Sequence, residues 1–301
     1  MKANNINSFA FLTTLLLLVG VILWDGLLNY TPQIFLVSIF LVGIPHGAVD
    51  HLIFFKKKKV PGRSLLKFYS QYIGLIFIVG IVWYFFPGFS FLTFLVISAY
   101  HFGQSQLYYF RVKKWFGHVL YLVWGIFVLS SIILFNFAEC QLIFESFEWF
   151  NAPKVLSPTV LMAFYLVSGA TLCVGFIGAY LTHSITSREV FFETLLVIIL
   201  IVMSVKATAV FTFTVYFGLW HSFKSLILEY EEVKTIIQTP LRFILALLPF
   251  TLMALIGLIG AYYLLTFNFT DISPYMVFIV IISALTVPHL LVMDKLYGSA
   301  G

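Results

Sequence analysis

The sequence predicts an all-α integral membrane protein, a polytopic helical bundle of about ten transmembrane helices in which residues 1–301 form a single domain. Hydrophobic residues make up 61% of the chain, charged residues make up only 10%, and the mean hydropathy is +1.04. A soluble domain carries about 25% charged residues. The apolar residues are gathered into runs of membrane-spanning length, which leave little room for a soluble domain.

Ten apolar segments follow one another along the chain. They cover approximately residues 8–24, 33–54, 65–86, 89–110, 116–136, 157–181, 190–205, 207–228, 242–266 and 275–293. The first follows Lys2 as a signal sequence would, but no small-residue cleavage site comes after it, so we interpret it as a transmembrane helix. The seventh is short. The one long gap, Phe137 to Ser157, contains Glu139, Glu145 and Glu148 and is long enough for a short interfacial helix.

The positive charges predict the topology of the bundle. Lysine and arginine residues follow the even-numbered segments, as in the run Lys56–Lys59 after the second and the group at 111–114 after the fourth. Only Lys154 and Lys206, two of the seventeen, lie on the other side. The positive-inside rule therefore places both termini in the cytoplasm of a multi-pass protein of the cell membrane. The net charge of +5 is a topology signal, and no nucleic-acid partner is expected.

Four histidines lie at one predicted depth. His46, His101, His221 and His289 each belong to an even-numbered segment and precede its cytoplasmic end. Their distance to that boundary is roughly 8 to 15 Å at the helical rise per residue. Polar groups at such depth are costly and usually functional. One buried histidine alone is more often structural, but four at one level predict a metal site. The two cysteines, Cys140 and Cys173, form no CxxC pair and predict neither a disulfide framework nor a thiolate site.

His46 lies in the motif GIPHGAVDH. Gly43 and Gly47 allow a neighbouring helix to approach, and the proline before His46 is expected to bend the helix. Asp50 is one turn beyond His46, where its carboxylate could orient an imidazole through the free N–H. His51 points about 140° away from His46. An interfacial position is favoured for His51, with a place beside the ligands as the alternative.

Three more polar residues are predicted to surround the ligands. Gln104 shares the helix face of His101 in SAYHFGQSQ, although such a polar stripe also serves as hydrogen-bonding contact between helices. Tyr216 opens the motif YFGLWHS, and Asp294 ends PHLLVMD. The histidines at 118 and 183 lie at helix ends outside the layer and are predicted to be interfacial.

An all-imidazole ligand set suits Fe, Zn, Cu or Ni and disfavours Mg and Ca. Structural zinc sites usually employ cysteine. Four neutral histidines would leave Fe(II) its full charge and up to two open positions for dioxygen. A metal among lipid-facing helices meets hydrophobic substrates from the bilayer, so oxidation of a lipid or isoprenoid is favoured.

The motifs PHGAVDH, SAYHFGQ, YFGLWHS and the late PHLLVMD resemble those of the Brp/Blh family of bacterial and archaeal β-carotene 15,15′-dioxygenases. The resemblance runs from about Gly43 to Asp294. It implies central cleavage of β-carotene with O₂ to two molecules of all-trans-retinal at a histidine-bound Fe(II), with the retinal passing to a microbial rhodopsin. His46, His101 and His221 match the family's motif histidines. The family often has a second histidine one turn after the HS pair, where this chain has Ser225, and His289 is predicted to complete the set because its depth and segment parity match.

Two other classes stay open on the residues alone. A membrane desaturase or hydroxylase with non-haem iron is suggested by the HxxxxH spacing of His46 and His51. Such enzymes need clustered histidine pairs, whereas the seven histidines here are mostly isolated. A proton-coupled transporter would use buried histidines as relays and would hold no stoichiometric metal.

Overall fold

A computed structural model describes residues 3–56, 60–145, 156–268 and 274–300. Within these ranges the chain is helical and forms no strand, which confirms the all-α prediction. The α-helices are α1 Ala3–Leu23, α2 Thr31–Ser38, α3 Asp50–Phe55, α4 Gly62–Phe85, α5 Pro87–Leu107, α6 Lys114–Phe135, α7 Phe137–Glu145, α8 Pro158–Leu181, α9 Ser187–Lys206, α10 Ala209–Val215, α11 Lys224–Ile237, α12 Pro240–Asn268 and α13 Pro274–Ala300. Lys57–Lys59, Glu148 and Lys154 lie outside the described residues.

Helices occupy all ten of the predicted apolar segments. Among the described residues, six helical stretches are long and apolar enough to cross a membrane: Asp25–Phe55, Gly62–Phe85, Lys114–Phe135, Pro158–Leu181, Pro240–Tyr263 and Met276–Tyr297. The gap after the fifth segment begins with a short helix, α7, as its length allowed. The count of about ten spans and the cytoplasmic position of both termini stay predictions.

The helical stretch that contains the second segment is interrupted. It starts before the segment, with a 3₁₀ turn at Asp25–Tyr30, and continues through α2 into a π-helical turn at Ile39–Gly43 and a 3₁₀ turn at Pro45–Gly47 before α3. Proline lacks the N–H that a regular α-helix needs, so the hydrogen-bonding pattern changes at this position. The result is an irregular stretch around His46, where helix α13 approaches so closely that the imidazole of His289 would be 3.4 Å from a Cβ on Gly47.

A second π-helical stretch, Tyr216–Phe223, joins α10 to α11 and carries His221. Turns of this kind are rare and are frequently found at functional sites. Both π-helical stretches therefore lie in the two elements that bring His46 and His221 into the interior.

Helices α5 and α6 pack backbone to backbone. A Cβ at Gly103 would lie 1.8 Å from the carbonyl oxygen of Tyr121, and one at Gly125 would lie 1.8 Å from that of Ala99. The close approach fixes α5 against the core around Trp124, which is fully buried. It thereby fixes the position of His101 on α5.

Candidate metal centre

The four predicted histidines come together in the interior. His46, His101 and His221 each offer a ring nitrogen, and these atoms all lie within 4.8 Å of one another. The ring of His289 lies 4.7 Å from that of His46 and 5.2 Å from that of His101, measured between centroids. All four side chains are buried. Residues separated by up to 243 positions thus form one compact imidazole cluster.

Two of the imidazoles are anchored through Nδ1 to groups that can only accept. The Nδ1 of His46 donates to the Gly43 carbonyl at 2.5 Å, and that of His289 donates to the Asp50 carboxylate at 2.9 and 3.0 Å. The Asp50 carboxylate also accepts from the Tyr72 hydroxyl at 2.9 Å. Because a neutral imidazole carries one proton, placing it on Nδ1 leaves the lone pair of Nε2 free on both rings.

His221 has the same tautomer by a less direct argument. Its Nδ1 lies 2.8 Å from the Ser105 hydroxyl, which already donates its own hydrogen to the Phe102 carbonyl at 2.9 Å. The Ser105 oxygen must therefore accept from Nδ1, so the free lone pair of His221 is again on Nε2.

Several imidazole nitrogens of the cluster lack a partner. The Nε2 atoms of His46 and His289 and both ring nitrogens of His101 are buried and make no hydrogen bond within the described residues. A buried polar atom left unpaired costs about 1–3 kcal/mol. Lone pairs converging from four sides are the arrangement that a transition metal ion satisfies, and neutral imidazole is among its preferred ligands.

Asp50 is the only one of the five predicted surrounding residues that bonds to an imidazole in the described structure. Gln104 and Asp294 bond instead to each other, from the Gln104 amide to the Asp294 carboxylate at 2.8 Å. The Tyr100 hydroxyl lies 3.5 Å from the same carboxylate and 2.6 Å from Nδ1 of His118. These residues form a polar network toward the C-terminal ends of α5 and α13, beyond the histidines.

His51 and Tyr216 lie further from the cluster. The His51 ring packs on Phe250 at 4.9 Å and on Tyr69 at 5.8 Å. The hydroxyl of Tyr216 accepts from the indole N–H of Trp124 at 3.3 Å. The Phe102 ring packs on Tyr216 and on His221, and so lies between them. His183 is exposed, at a positive φ of 56° after α8.

The position after the HS pair is occupied by a different interaction. Ser225 is 2% exposed, and its hydroxyl lies 3.1 Å from that of Tyr297 on α13. A histidine at this position would have to displace Tyr297. The fourth imidazole of the cluster comes from α13 itself, from His289.

A cavity of about 1730 Å³ adjoins the cluster and is lined by all four histidines. Its other walls are almost entirely apolar, with many phenylalanines such as Phe94, Phe213 and Phe217. Along α4 the lining runs from Phe68 to Phe85, roughly 26 Å at the helical rise per residue. The cavity therefore has the length and the apolar lining for an extended hydrophobic molecule.

Comparison with known proteins points to one family. A sequence profile described as β-carotene 15,15′-dioxygenase matches residues 37–297. A relative named β-carotene 15,15′-dioxygenase, from uncultured marine bacterium 66A03, is 26% identical over 266 residues, which cover 87% of this chain and 92% of the relative. No solved structure matches this chain.

Proposed function

The chain belongs to the β-carotene 15,15′-dioxygenase family, and we propose that it cleaves β-carotene at the central 15,15′ double bond with O₂ at a membrane-embedded iron(II). The products are two molecules of all-trans-retinal. The observation that carries the proposal is the set of buried, partnerless nitrogens of His46, His101 and His289 that meet His221 at the wall of a long apolar cavity.

The donor set fits iron(II). His46, His221 and His289 would each hold it through Nε2, and His101 would use one of its two unpaired nitrogens. When bound, iron(II) supplies the redox chemistry that lets triplet dioxygen add to a carbon–carbon double bond. Asp50 and Ser105 hold two of the rings in orientation through their Nδ1 atoms, as partners beyond the ligands do in other metal sites.

The overall reaction needs no added proton or electron. One C=C bond is broken, and each of its carbons receives one oxygen atom of O₂ as an aldehyde. The chain therefore has to bind and orient the polyene and to exclude water. The apolar lining of the cavity favours the polyene over water. Phe102 and Phe217 pack on His221 at centroid distances of 4.8 and 5.5 Å and border the cavity at the cluster. They confine the substrate beside the imidazoles.

The proposal places the protein in the cell membrane as a multi-pass enzyme. β-Carotene would be taken from the lipid bilayer, and retinal would pass to a microbial rhodopsin as its chromophore. The six membrane-length apolar helices and the apolar cavity support this setting.

The desaturase alternative finds less support in the geometry. It pairs His46 with His51 on one metal, but the His51 ring packs on Phe250 and Tyr69. The transporter alternative predicts a cluster that binds protons and no stoichiometric metal, so the metal content of purified protein separates it from both iron enzymes.

Expression in a β-carotene-accumulating bacterium tests the function. The wild-type protein should bleach the orange colour and yield two retinals per β-carotene, and only with oxygen present. His101→Ala should keep the cells orange because one ligand of the metal is lost, whereas His183→Ala, at an exposed position, should bleach like the wild type. The products are identified and counted by chromatography.

If the products were longer or shorter apocarotenals, the protein would still be an oxygenase, but central cleavage would be refuted. Unchanged pigment in cells that express iron-loaded protein would refute β-carotene as the substrate. A purified protein without any transition metal would refute the iron centre and favour a proton relay.

A further inference from the structure

The cavity opens sideways beside two helices that are long and apolar enough to span a membrane, α4 and α12. Residues that line a cavity and are themselves largely exposed mark its opening. On α4 these are Ile73, Phe77 and Ile81, which are 49%, 68% and 57% exposed. On α12 the same is true of Met253, which is 64% exposed, and of Gly257. These residues place an opening of the cavity, a slot, between α4 and α12.

The two helices stand apart along this slot. Among the described residues the backbones of α4 and α12 hardly approach each other, whereas α4 packs along α13 and α5. Near their cytoplasmic ends the gap is bridged by stacked rings: Tyr69 and Phe250 lie 5.8 Å apart at 18°, and His51 packs on both. From Ile73 to Tyr84 the slot extends roughly 17 Å along α4 at the helical rise per residue.

Entry from the water on the cytoplasmic side would cross polar contacts. Beyond the histidines lie the Asp50–Tyr72 bond, the Gln104–Asp294 bond and the buried pair of Ser225 and Tyr297. A hydrocarbon passing there would separate buried polar groups from their partners, each at a cost of about 1–3 kcal/mol. The slot between α4 and α12 requires no such break, since its lining is apolar.

We propose that the substrate enters the cavity laterally from the bilayer, through the slot between α4 and α12. The inference rests on the proposed function for the identity of the substrate, a long apolar polyene. One end of the polyene passes between the helices and reaches the imidazoles while the rest is still in lipid, so the molecule never has to enter water. Passage through water would expose the whole apolar surface of the polyene, which is strongly unfavourable by comparison.

Glycines on the edges of the slot allow it to be closed without disturbing the fold. Gly80 on α4 and Gly257 on α12 both line the cavity, and a Cβ at either would meet no atom within 4 Å. Gly74 and Gly260 lie on the same two helices with equally free space, but they do not line the cavity. Tryptophan at the first pair narrows the slot, and tryptophan at the second pair is a matched control.

The experiment measures pigment held by the protein, so that entry is separated from cleavage. All variants are built on His101→Ala, which should not consume β-carotene, and are purified from membranes of a β-carotene-accumulating bacterium. The ratio of carotenoid to protein absorbance should fall roughly tenfold or more in Gly80→Trp and Gly257→Trp, because the new side chain occupies the path. Gly74→Trp and Gly260→Trp should carry as much pigment as the parent.

The possible outcomes distinguish a failure of lateral entry from a failure of the proposed function. Equal pigment in the slot variants and the parent would overturn lateral entry through this slot and leave the proposed function intact. A fall that is equally large in both control variants would also overturn it, because the effect would then not depend on the slot. A parent that carries no β-carotene, together with a wild type that does not cleave it, would overturn the proposed substrate and with it the polyene that this slot is proposed to admit.

Discussion

The orientation of three of the four imidazoles, those of His46, His221 and His289, is set by one partner on the Nδ1 atom. These partners are of three chemical kinds: the Gly43 carbonyl, the Asp50 carboxylate and the Ser105 hydroxyl. All three place the proton on Nδ1 and leave Nε2 for a metal. Three independent contacts with the same consequence are strong support for a metal centre over a chance gathering of histidines.

The sequence predicted the imidazoles but only part of their surroundings. Their residue type and common depth are visible along each segment. The spacing predicted that Asp50 could orient an imidazole, but the ring it holds belongs to His289, which is 239 positions away. Ser105 shares the helix face of His101, yet it bonds to His221. Pairing between helices depends on their packing, which periodicity along one helix does not contain.

Replacing Ser105 by alanine should weaken metal binding without unfolding the protein. The substitution removes the acceptor for Nδ1 of His221, so that ring loses its fixed orientation and tautomer. Loss of such a partner typically lowers metal affinity about 10–100-fold. Competition of purified protein with a chelator measures the change in iron affinity.

Ser131→Ala is the control for this prediction. Ser131 is as deeply buried as Ser105, but its hydroxyl donates to the Val128 carbonyl of its own helix at 2.8 Å. Iron affinity should be unchanged in this variant. Equal iron affinity in Ser105→Ala and the wild type would contradict the role of the serine.

Among the elements, the apolar helices were predictable and the irregular turns were not. Long apolar runs predict helices because the bilayer leaves the backbone no other partner for its polar groups. The π-helical stretches at Ile39–Gly43 and Tyr216–Phe223 have no such signature. Pro45 indicated a bend in the second segment, but the stretch that carries His221 contains no proline. Its i→i+5 hydrogen bonding therefore has no single-residue signal in the sequence.

The α5–α6 contact should be intolerant of even one methyl group. In Gly125→Ala the added Cβ would lie 1.8 Å from the Ala99 carbonyl oxygen, so the two helices must separate. Overpacking of this kind costs about 1–3 kcal/mol and more where backbone has to move. The midpoint of thermal unfolding in detergent should fall accordingly.

Gly178→Ala on α8 is the matched control for the helix contact. A Cβ at Gly178 would meet nothing within 4 Å, and alanine is the better helix former by about 1 kcal/mol. Its unfolding midpoint should stay the same or rise. A Gly125→Ala protein as stable as the wild type would show that α5 and α6 do not pack as closely as the structure has them.

For the whole molecule, the cluster constrains the direction of four helical segments. His46, His101, His221 and His289 all lie toward the C-terminal parts of their segments, and they meet at one level. Segments that cross a membrane can bring such positions together only if they run in the same direction. The convergence is consistent with one common direction for these four even-numbered segments, and that they run toward the cytoplasm stays a prediction from the positive charges.

Topology reporters test this parity directly. A reporter that works only in the cytoplasm should be active when it is fused at residue 301 or after Lys113, since both points follow even-numbered segments. Fusions after Asn151, in the part of the chain that the structure does not describe, and after Lys206 should be active only on the outer side. Two fusions on each side guard against one aberrant insertion. The same result at residues 301 and 151 would contradict the parity. The four imidazoles could then share a level only if one of their segments turned back within the membrane, and a single histidine layer near the cytoplasmic face would no longer follow.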